Sequence, residues 1–425
     1  MQFRRSVTHV AGHFCYLCPR SFMHPSRRRT IHKLLALVRR VRVDPSDTNA
    51  LLQLQVSAAD AIRRCERAKR RLRLQRRETK RAVATRREGS AGSQLTEALR
   101  RRLLQIDQLS EQNDEMRHVV RAVVDAVVFI YLSKWDIKPL AFRESAGFLA
   151  GKKGARLEWQ VLRRALRDGH PAILNDLTLS LRYGDITVPG GRGALILELK
   201  DTSHTTARSH RQAAALSKMQ AYLETDRTSD LYDLAGPMVR TATDVEEADH
   251  RAAVNDMIRT AKTGPALWRR VEPGLWFGAI WAEGKLMDSA PLGECIGRPI
   301  ACIVNQFKWE ERAYVPFTLS FTDPDAVTAF YSGELVVGAV LDTGVLTEHL
   351  AQRGVGVAYD FSSPRPITLF KEEWRIGGSP AISVGDHLFH RIFAEFASLK
   401  WFCELNADES GRSFRAFLES ASEAS

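Results

Sequence analysis

Apolar positions along the chain fall into three successive regimes. From Ile31 to about Val83 they recur at helical spacing in a background of arginine, interrupted at Val43-Asp44-Pro45-Ser46, where Asp47 or Thr48 supplies an N-cap before Leu51. Beyond the break Gly89-Ser90-Ala91-Gly92-Ser93, a near-heptad stripe runs through Leu95, Leu99, Leu103, Ile106 and Leu109, then Met116, Val120, Val123, Val127 and Ile130. Two long helices separated by a short break predict an arm that folds back as a hairpin or dimerises.

The second regime begins with Leu157, Val161, Leu162, Ala165 and Leu166, which predict a helix over 157–166. Two strands follow, Ser180–Val188 and Ala194–Lys200, joined by Pro189-Gly190-Gly191-Arg192-Gly193, a turn rich in residues that accept positive φ. Helices are expected over about Ala207–Leu223 and Ala242–Lys262. In the third regime the strand-like runs are Leu275–Trp281, Pro299–Gln306, Ala313–Phe321, Leu335–Leu341 and Val355–Phe361, and an amphipathic helix is expected near Asp386–Leu405. His387 and His390 on that helix lie among Phe389, Phe393, Phe396, Trp401 and Phe402, an aromatic stripe that reads as core.

Charge separates the ends of the chain. Residues 1–100 hold 24 Lys and Arg against 7 Asp and Glu, a net +17, so the other 325 residues carry −5 of the overall +12. A basic block of this kind gains affinity for a phosphate backbone by counterion release, whatever the base sequence. Arg63, Arg64, Arg67, Lys69, Arg70, Arg71 and Arg73 are the candidate nucleic-acid contacts on the second helix.

Six cysteines in 425 residues make no disulfide framework, and the sequence fits a reducing, cytoplasmic setting. The opening does not read as a signal peptide, and the longest apolar run, Ala126–Leu132, is far shorter than the roughly 20 residues of a membrane span. Cys15 and Cys18 stand in C-x-x-C spacing with His24 and His32 nearby, a candidate structural zinc site that resembles the first half of a C2H2 finger without its closely spaced histidine pair. Gly278-Ala279-Ile280-Trp281-Ala282-Glu283-Gly284-Lys285 lacks the glycine and hydroxyl positions of a phosphate loop, which excludes that route to nucleotide hydrolysis.

The chemistry concentrates in the two-strand unit. Alternation puts Ala194, Ile196, Glu198 and Lys200 on one strand face and Leu195, Leu197 and Leu199 on the other. A glutamate and a lysine in an otherwise apolar strand are costly to bury unless they are paired or bind something. A hairpin through the glycine-rich turn can bring Asp185 beside Glu198, and two carboxylates with the carbonyl of Leu199 suit magnesium, which keeps several waters. Lys200 would orient a metal-bound water or offset charge at phosphorus.

This D-x(12)-E-x-K pattern with flanking helices resembles the PD-(D/E)XK superfamily of restriction endonucleases, RecB-type nucleases and junction resolvases, over roughly residues 140–225. The resemblance implies a restriction-endonuclease-like α/β core and a metal-dependent nuclease using magnesium or manganese, with DNA as substrate and anti-phage defence as a setting. Asp185, Glu198 and Lys200 would be catalytic. Glu158 on the preceding helix would join the metal site, and Gln212, Lys218 and Tyr222 on the following helix would contact substrate. Two departures stand out: Gly184 replaces the proline before Asp185, and Leu216 stands where a Q-x(3)-Y motif needs tyrosine.

The expected organisation is therefore a candidate zinc knuckle at 1–32, a basic α-helical, coiled-coil arm at 33–134, an α/β core at 135–263 and a strand-rich α+β region at 264–425. Expected partners are nucleic acid and a second copy bound through the arm, with no membrane. The competing expectation is a non-catalytic dimeric DNA-binding scaffold on a degenerate nuclease fold.

Overall fold

The computed structural model describes residues 23–87, 93–141, 148–152, 154–190, 193–199, 207–228, 238–240, 244–281, 286–309, 314–363, 365–371 and 381–408. Contacts divide the chain into two compact units, Met23–Met238 and a second that comprises the described residues from Val239 on. Helices and small antiparallel sheets build both. No helix among the described residues is long and apolar enough to cross a membrane.

The first unit opens with α1 (Pro25–Val43), α2 (Thr48–Arg87) and α3 (Ser93–Tyr131). The chain leaves α1 where the Asp-Pro sequence interrupts the apolar pattern, and Asp47 caps the next helix by accepting from the N–H of Ala50 at 2.7 Å. α2 and α3 pair with each other, and ion pairs Glu66–Arg117, Lys69–Asp114 and Arg76–Asp107 hold one antiparallel register along them. The expected hairpin is thus formed within one chain. α1 packs on both helices through Ile31, Leu34, Leu35, Val38 and Val41, all buried.

α4 (Lys134–Leu140) and α5 (Ala155–Arg167) lead to β1 (Ile173–Leu174), β2 (Ile186–Gly190) and β3 (Gly193–Leu197), a three-stranded antiparallel sheet in the order β1-β2-β3. β2 and β3 pair from Ile186↔Leu197 to Gly190↔Gly193, so the ladder runs further into the glycine-rich segment than a five-residue turn allows. α6 (Ala207–Thr225) packs against β3 with Met219, Tyr222 and Leu223 buried.

The strand expected from Ser180 starts only at Ile186. Residues 178–185 are irregular because the buried carboxylate of Asp125 accepts from the N–H groups of Leu179 and Ser180 at 3.0 and 3.2 Å, and because Gly184 takes φ +67°. Alternation on β3 holds, with an inversion of emphasis: Ile196 is buried whereas Leu195 is 51% exposed, so the face carrying Glu198 is the inner one.

β4 (Arg227–Thr228) and β5 (Met238–Val239) are two-residue strands where one unit gives way to the next. The second unit contains α7 (Arg251–Ala261), β6 (Leu267–Glu272), β7 (Leu275–Trp281) and β8 (Pro299–Ile303). It continues with α8 (Phe317–Ser320), α9 (Pro324–Ser332), β9 (Leu335–Asp342) and α10 (Thr343–Ala351). The four longer strands form an antiparallel sheet in the order β6-β7-β9-β8, and β10 (Gly356–Tyr359), β11 (Ile367–Phe370) and β12 (Ala381–Val384) form a second small sheet. An aromatic core in this unit includes Phe277, Phe317, Phe330 and Phe396, with the rings of Phe317 and Phe330 4.4 Å apart.

Four expectations here need correction. The strand from Pro299 stops at Ile303, because Asn305 turns inward to bond Leu335 O and Val337 N, each at 2.8 Å. Within the run Ala313–Phe321, residues Phe317–Ser320 are helical and begin after Pro316. The helix expected from Ala242 begins at Arg251, since His250 N–H bonds Phe396 O and Asp249 bridges Ala397. The same contacts split the terminal helix into α11 (Asp386–Phe389), α12 (Arg391–Ala394) and a helical stretch over 399–408, with Phe396 at φ +57° between the last two.

Candidate metal and nucleic-acid site

Three carboxylates of the first unit meet at one ammonium group. Lys152 Nζ lies 2.9 Å from Glu158 Oε1, 2.7 Å from Asp176 Oδ2 and 3.0 Å from Asp185 Oδ1. Each arrives on a different element. Glu158 sits in the first turn of α5, where the helix dipole favours a negative charge, and is buried. Asp176 belongs to a 3-10 turn, Asn175–Leu177, that follows β1. Asp185 immediately precedes β2, and its N–H donates to Leu197 O at 2.7 Å.

The β2–β3 pairing ends at Ile186↔Leu197, one residue short of Asp185 and Glu198. Asp185 Oδ2 accepts from Leu199 N at 2.9 Å, which fixes the carboxylate against the end of β3. Glu198 is half-buried. Of the residues read as catalytic, the structure brings Asp185 and Glu158 to a common point and places Glu198 just past the end of β3, while Lys200 lies outside the described residues. Asp176 and Lys152 escaped the sequence reading: one is a lone acid in a short loop, the other half of a Lys-Lys pair between glycines, and neither belongs to a periodic pattern.

Burial and charge act together on this cluster. Burial pushes the Glu158 carboxyl up, the charges of Asp185 and Asp176 add to the push, and the Lys152 contact opposes it. Burial alone would lower the Lys152 ammonium, but its bonds to Asp176 and Glu158 and the charge of Asp185 outweigh that and hold it above the ordinary lysine range. Lys152 is therefore the resident cation at neutral pH. Among the described residues no group of three or more His, Cys, Asp or Glu has metal-holding geometry. The three carboxylates are spaced around an ammonium, and oxygens about 2.7–3.0 Å from its nitrogen would have to close in to the roughly 2.0–2.1 Å that magnesium demands. Their chemistry, hard anionic oxygen from separate rigid elements, suits such an ion.

The helical hairpin frames this site from behind with buried polar groups. Gln55 of α2 accepts from Leu174 N at 2.8 Å and donates to Ala172 O at 2.9 Å, which ties down β1. Glu66 accepts from the N–H groups of Leu149 and Ala150 at 3.0 and 2.7 Å, just before Lys152. From α3, Arg121 donates to Asp176 O at 3.0 Å, and burial lowers its guanidinium to about 10. Asp125 on the same helix clamps Leu179 and Ser180, its carboxyl pushed up to about 6 by burial despite the bonds it accepts.

The basic residues of α2 fall into two groups. Lys69 is tied to Asp114, and Arg63 lies 3.7 Å from Asp60 and over the Trp159 ring. Arg64, Arg67, Arg70 and Arg71 are exposed, with no carboxylate partner among the described residues, and Arg73 is exposed beside the Phe148 ring at 5.5 Å. On α6, Lys218 is exposed and Tyr222 buried, while the side chain of Gln212 lies outside the described residues.

Of the candidate zinc ligands, Cys15 and Cys18 lie outside the described residues. His24 caps α1, with Nδ1 accepting from Ser26 N at 3.3 Å. His32 stands eight residues further, about 12 Å along the helix axis. Compared with protein-family models, with curated proteins and with solved structures, the chain matches none.

Proposed function

We propose that the chain is a divalent-metal-dependent nuclease of the PD-(D/E)XK kind that hydrolyses phosphodiester bonds in DNA. The observation that carries this reading is the meeting of Glu158 and Asp185 at one cation position, with Glu198 just past the end of β3. Magnesium or manganese held there would supply Lewis acidity and a bound water of lowered pKa. Asp185, fixed by the Leu199 N–H, and Glu158, fixed on α5, offer the oxygens that would hold it. Lys152 must yield the central position, and its ammonium, still on the same short loop, remains available to offset phosphate charge. Lys200, two residues beyond Glu198 in the sequence, is assigned the same task at the reacting phosphorus. The exposed arginines of α2 supply sequence-independent attraction for the backbone. Defence against phage is the setting that the family resemblance suggests.

The scaffold reading has one observation in its favour: Lys152 already neutralises the carboxylates without a metal. The two readings separate when the purified protein is incubated with linear, circular and single-stranded DNA in magnesium, manganese or EDTA, beside Asp185→Ala and Lys200→Ala. The nuclease reading expects cleavage that needs the metal and falls on the order of 100-fold or more in both variants. DNA left intact in either metal, with binding retained, would instead support the scaffold.

A further inference from the structure

A cavity of about 260 Å³ opens between α2 and the turn at 148–150, lined by Glu66, Arg67, Lys69, Arg70, Arg73 and Phe148. Its charges are already sorted. The Glu66 carboxylate is engaged by Leu149 N, Ala150 N and, at 3.8 Å, Arg117, and Lys69 is held by Asp114. Arg67 and Arg70 remain exposed with no carboxylate partner among the described residues. Phe148 is 47% exposed, an aromatic ring left open to water beside this row of guanidiniums. Arg117, half-buried and paired with Asp114, supports that ring at 4.9 Å, whereas the second guanidinium near it, Arg73, is exposed and able to move away.

An exposed aromatic ring with adjacent exposed guanidiniums suits a base and its flanking phosphates together, and stacking of this kind tolerates any base because every base has a π-face. The volume sets the form of the ligand. At 260 Å³ the cavity falls just below the roughly 300–1,000 Å³ of pockets for drug-sized ligands, so it admits one base-sized ring and no duplex. Its position sets the direction. Ala150, which also lines the cavity, is two residues from Lys152, so at most about 7 Å of backbone separates it from the residue whose ammonium the carboxylates share.

We propose that this cavity is a nucleotide subsite for an unpaired nucleic-acid strand. Phe148 stacks on one base in place of Arg73, Arg67 and Arg70 hold the neighbouring phosphates, and the strand continues towards Lys152, Glu158, Asp176 and Asp185. Single strands and unpaired flaps are then the substrate class. Delivery to the carboxylates rests on the nuclease reading; binding at the subsite does not.

The test is fluorescence anisotropy of the full-length protein in EDTA, with a labelled oligothymidylate and a duplex of equal length at the same salt. The single strand should bind at least about fivefold more tightly than the duplex. Phe148→Ala should remove about fivefold or more of single-strand affinity and little of duplex affinity, and Phe148→Trp should keep or improve it. Arg67→Glu with Arg70→Glu should weaken single-strand binding and flatten its salt dependence, whereas Arg77→Glu with Arg81→Glu, an equal charge change on α2 outside the cavity, should do markedly less. Equal affinity for duplex, or a folded Phe148→Ala or Phe148→Trp protein whose affinities show no such pattern, would overturn the proposal. DNA that stays uncut in magnesium and manganese while these differences hold would overturn the nuclease reading and leave the subsite standing.

Discussion

Gly184 shows how a single residue sets the local geometry of the site. Its φ of +67° lies in the left-handed region, and a Cβ there would meet Ile196 Cγ2 at 2.6 Å and Leu197 O at 2.7 Å. Proline, locked near φ −65°, cannot adopt this conformation, so the departure from a proline before Asp185 has a backbone cause. The chain turns at Gly184 so that Asp185 enters the β2–β3 ladder with its carboxylate at Leu199 N. Gly184→Ala is expected to cost roughly 2–4 kcal/mol, from positive-φ strain and a contact with backbone that cannot yield cheaply. A thermal melt should show the unit Met23–Met238 losing several degrees, and an unchanged midpoint would mean that the turn is softer than its contacts imply.

At the scale of elements, the helical hairpin does two jobs along its length. Its proximal half is a packed frame, with Ala50, Leu51, Leu54, Ala58 and Ile62 of α2 facing Val119, Val120, Val123 and Val127 of α3, all buried. In its distal half, residues 67–85 and 94–112, the single buried residue among those described is Ile106, while Leu74, Leu95, Leu104 and Leu109 are 42–64% exposed. A helix pair with so thin a seam has little hydrophobic stabilisation, and its ion pairs with exposed partners add little more. Ile106→Ala should therefore cost about 2–4 kcal/mol locally. Hydrogen exchange would report it as faster exchange confined to 67–112, with the amides of β1, β2 and β3 unaffected; a loss spread through the sheet would show that the arm and its base unfold together.

At the scale of the molecule, the site is a convergence of four segments. The short loop carrying Lys152, α5, the 3-10 turn after β1 and the approach to β2 all meet at one nitrogen atom. Lys152→Met would leave three partly buried like charges without a counterion, at a cost of roughly 3–5 kcal/mol near neutral pH. The sign of the pH dependence follows from Glu158. Its folded carboxyl is already raised by burial, so any stability it contributes is present at low pH and lost as pH rises through the folded value. Removing the cation raises it further, so the deficit of the variant in urea unfolding should shrink from pH 7 to pH 5. A constant deficit would mean that Lys152 acts through packing and not through charge. Magnesium or manganese that stabilises this variant more than the parent would support the proposed metal position.

Much of this architecture was legible in the chain, because it rests on periodicity and on local turn chemistry. The break at Val43–Ser46, the α2–α3 stripe, the β2–β3 hairpin, β7 and β9 all follow from spacing, which each segment carries by itself. Residues that act through distant partners were not legible. Asp125, Gln55, Glu66 and Arg121 stand in no motif, yet each bonds a backbone group that lies 54 or more residues away. Lys152 and Asp176 stand in no motif, and only the packing of α5 and the sheet against the helical frame brings them to Glu158 and Asp185. The sequence by itself determined the long helices of the arm, the β2–β3 hairpin and the strands β7 and β9, since hydrophobic period and turn residues act locally. Tertiary structure alone decided which cation the carboxylates share and where the strand from Ser180 gives way, because both depend on desolvation and hydrogen bonds between segments far apart in the chain.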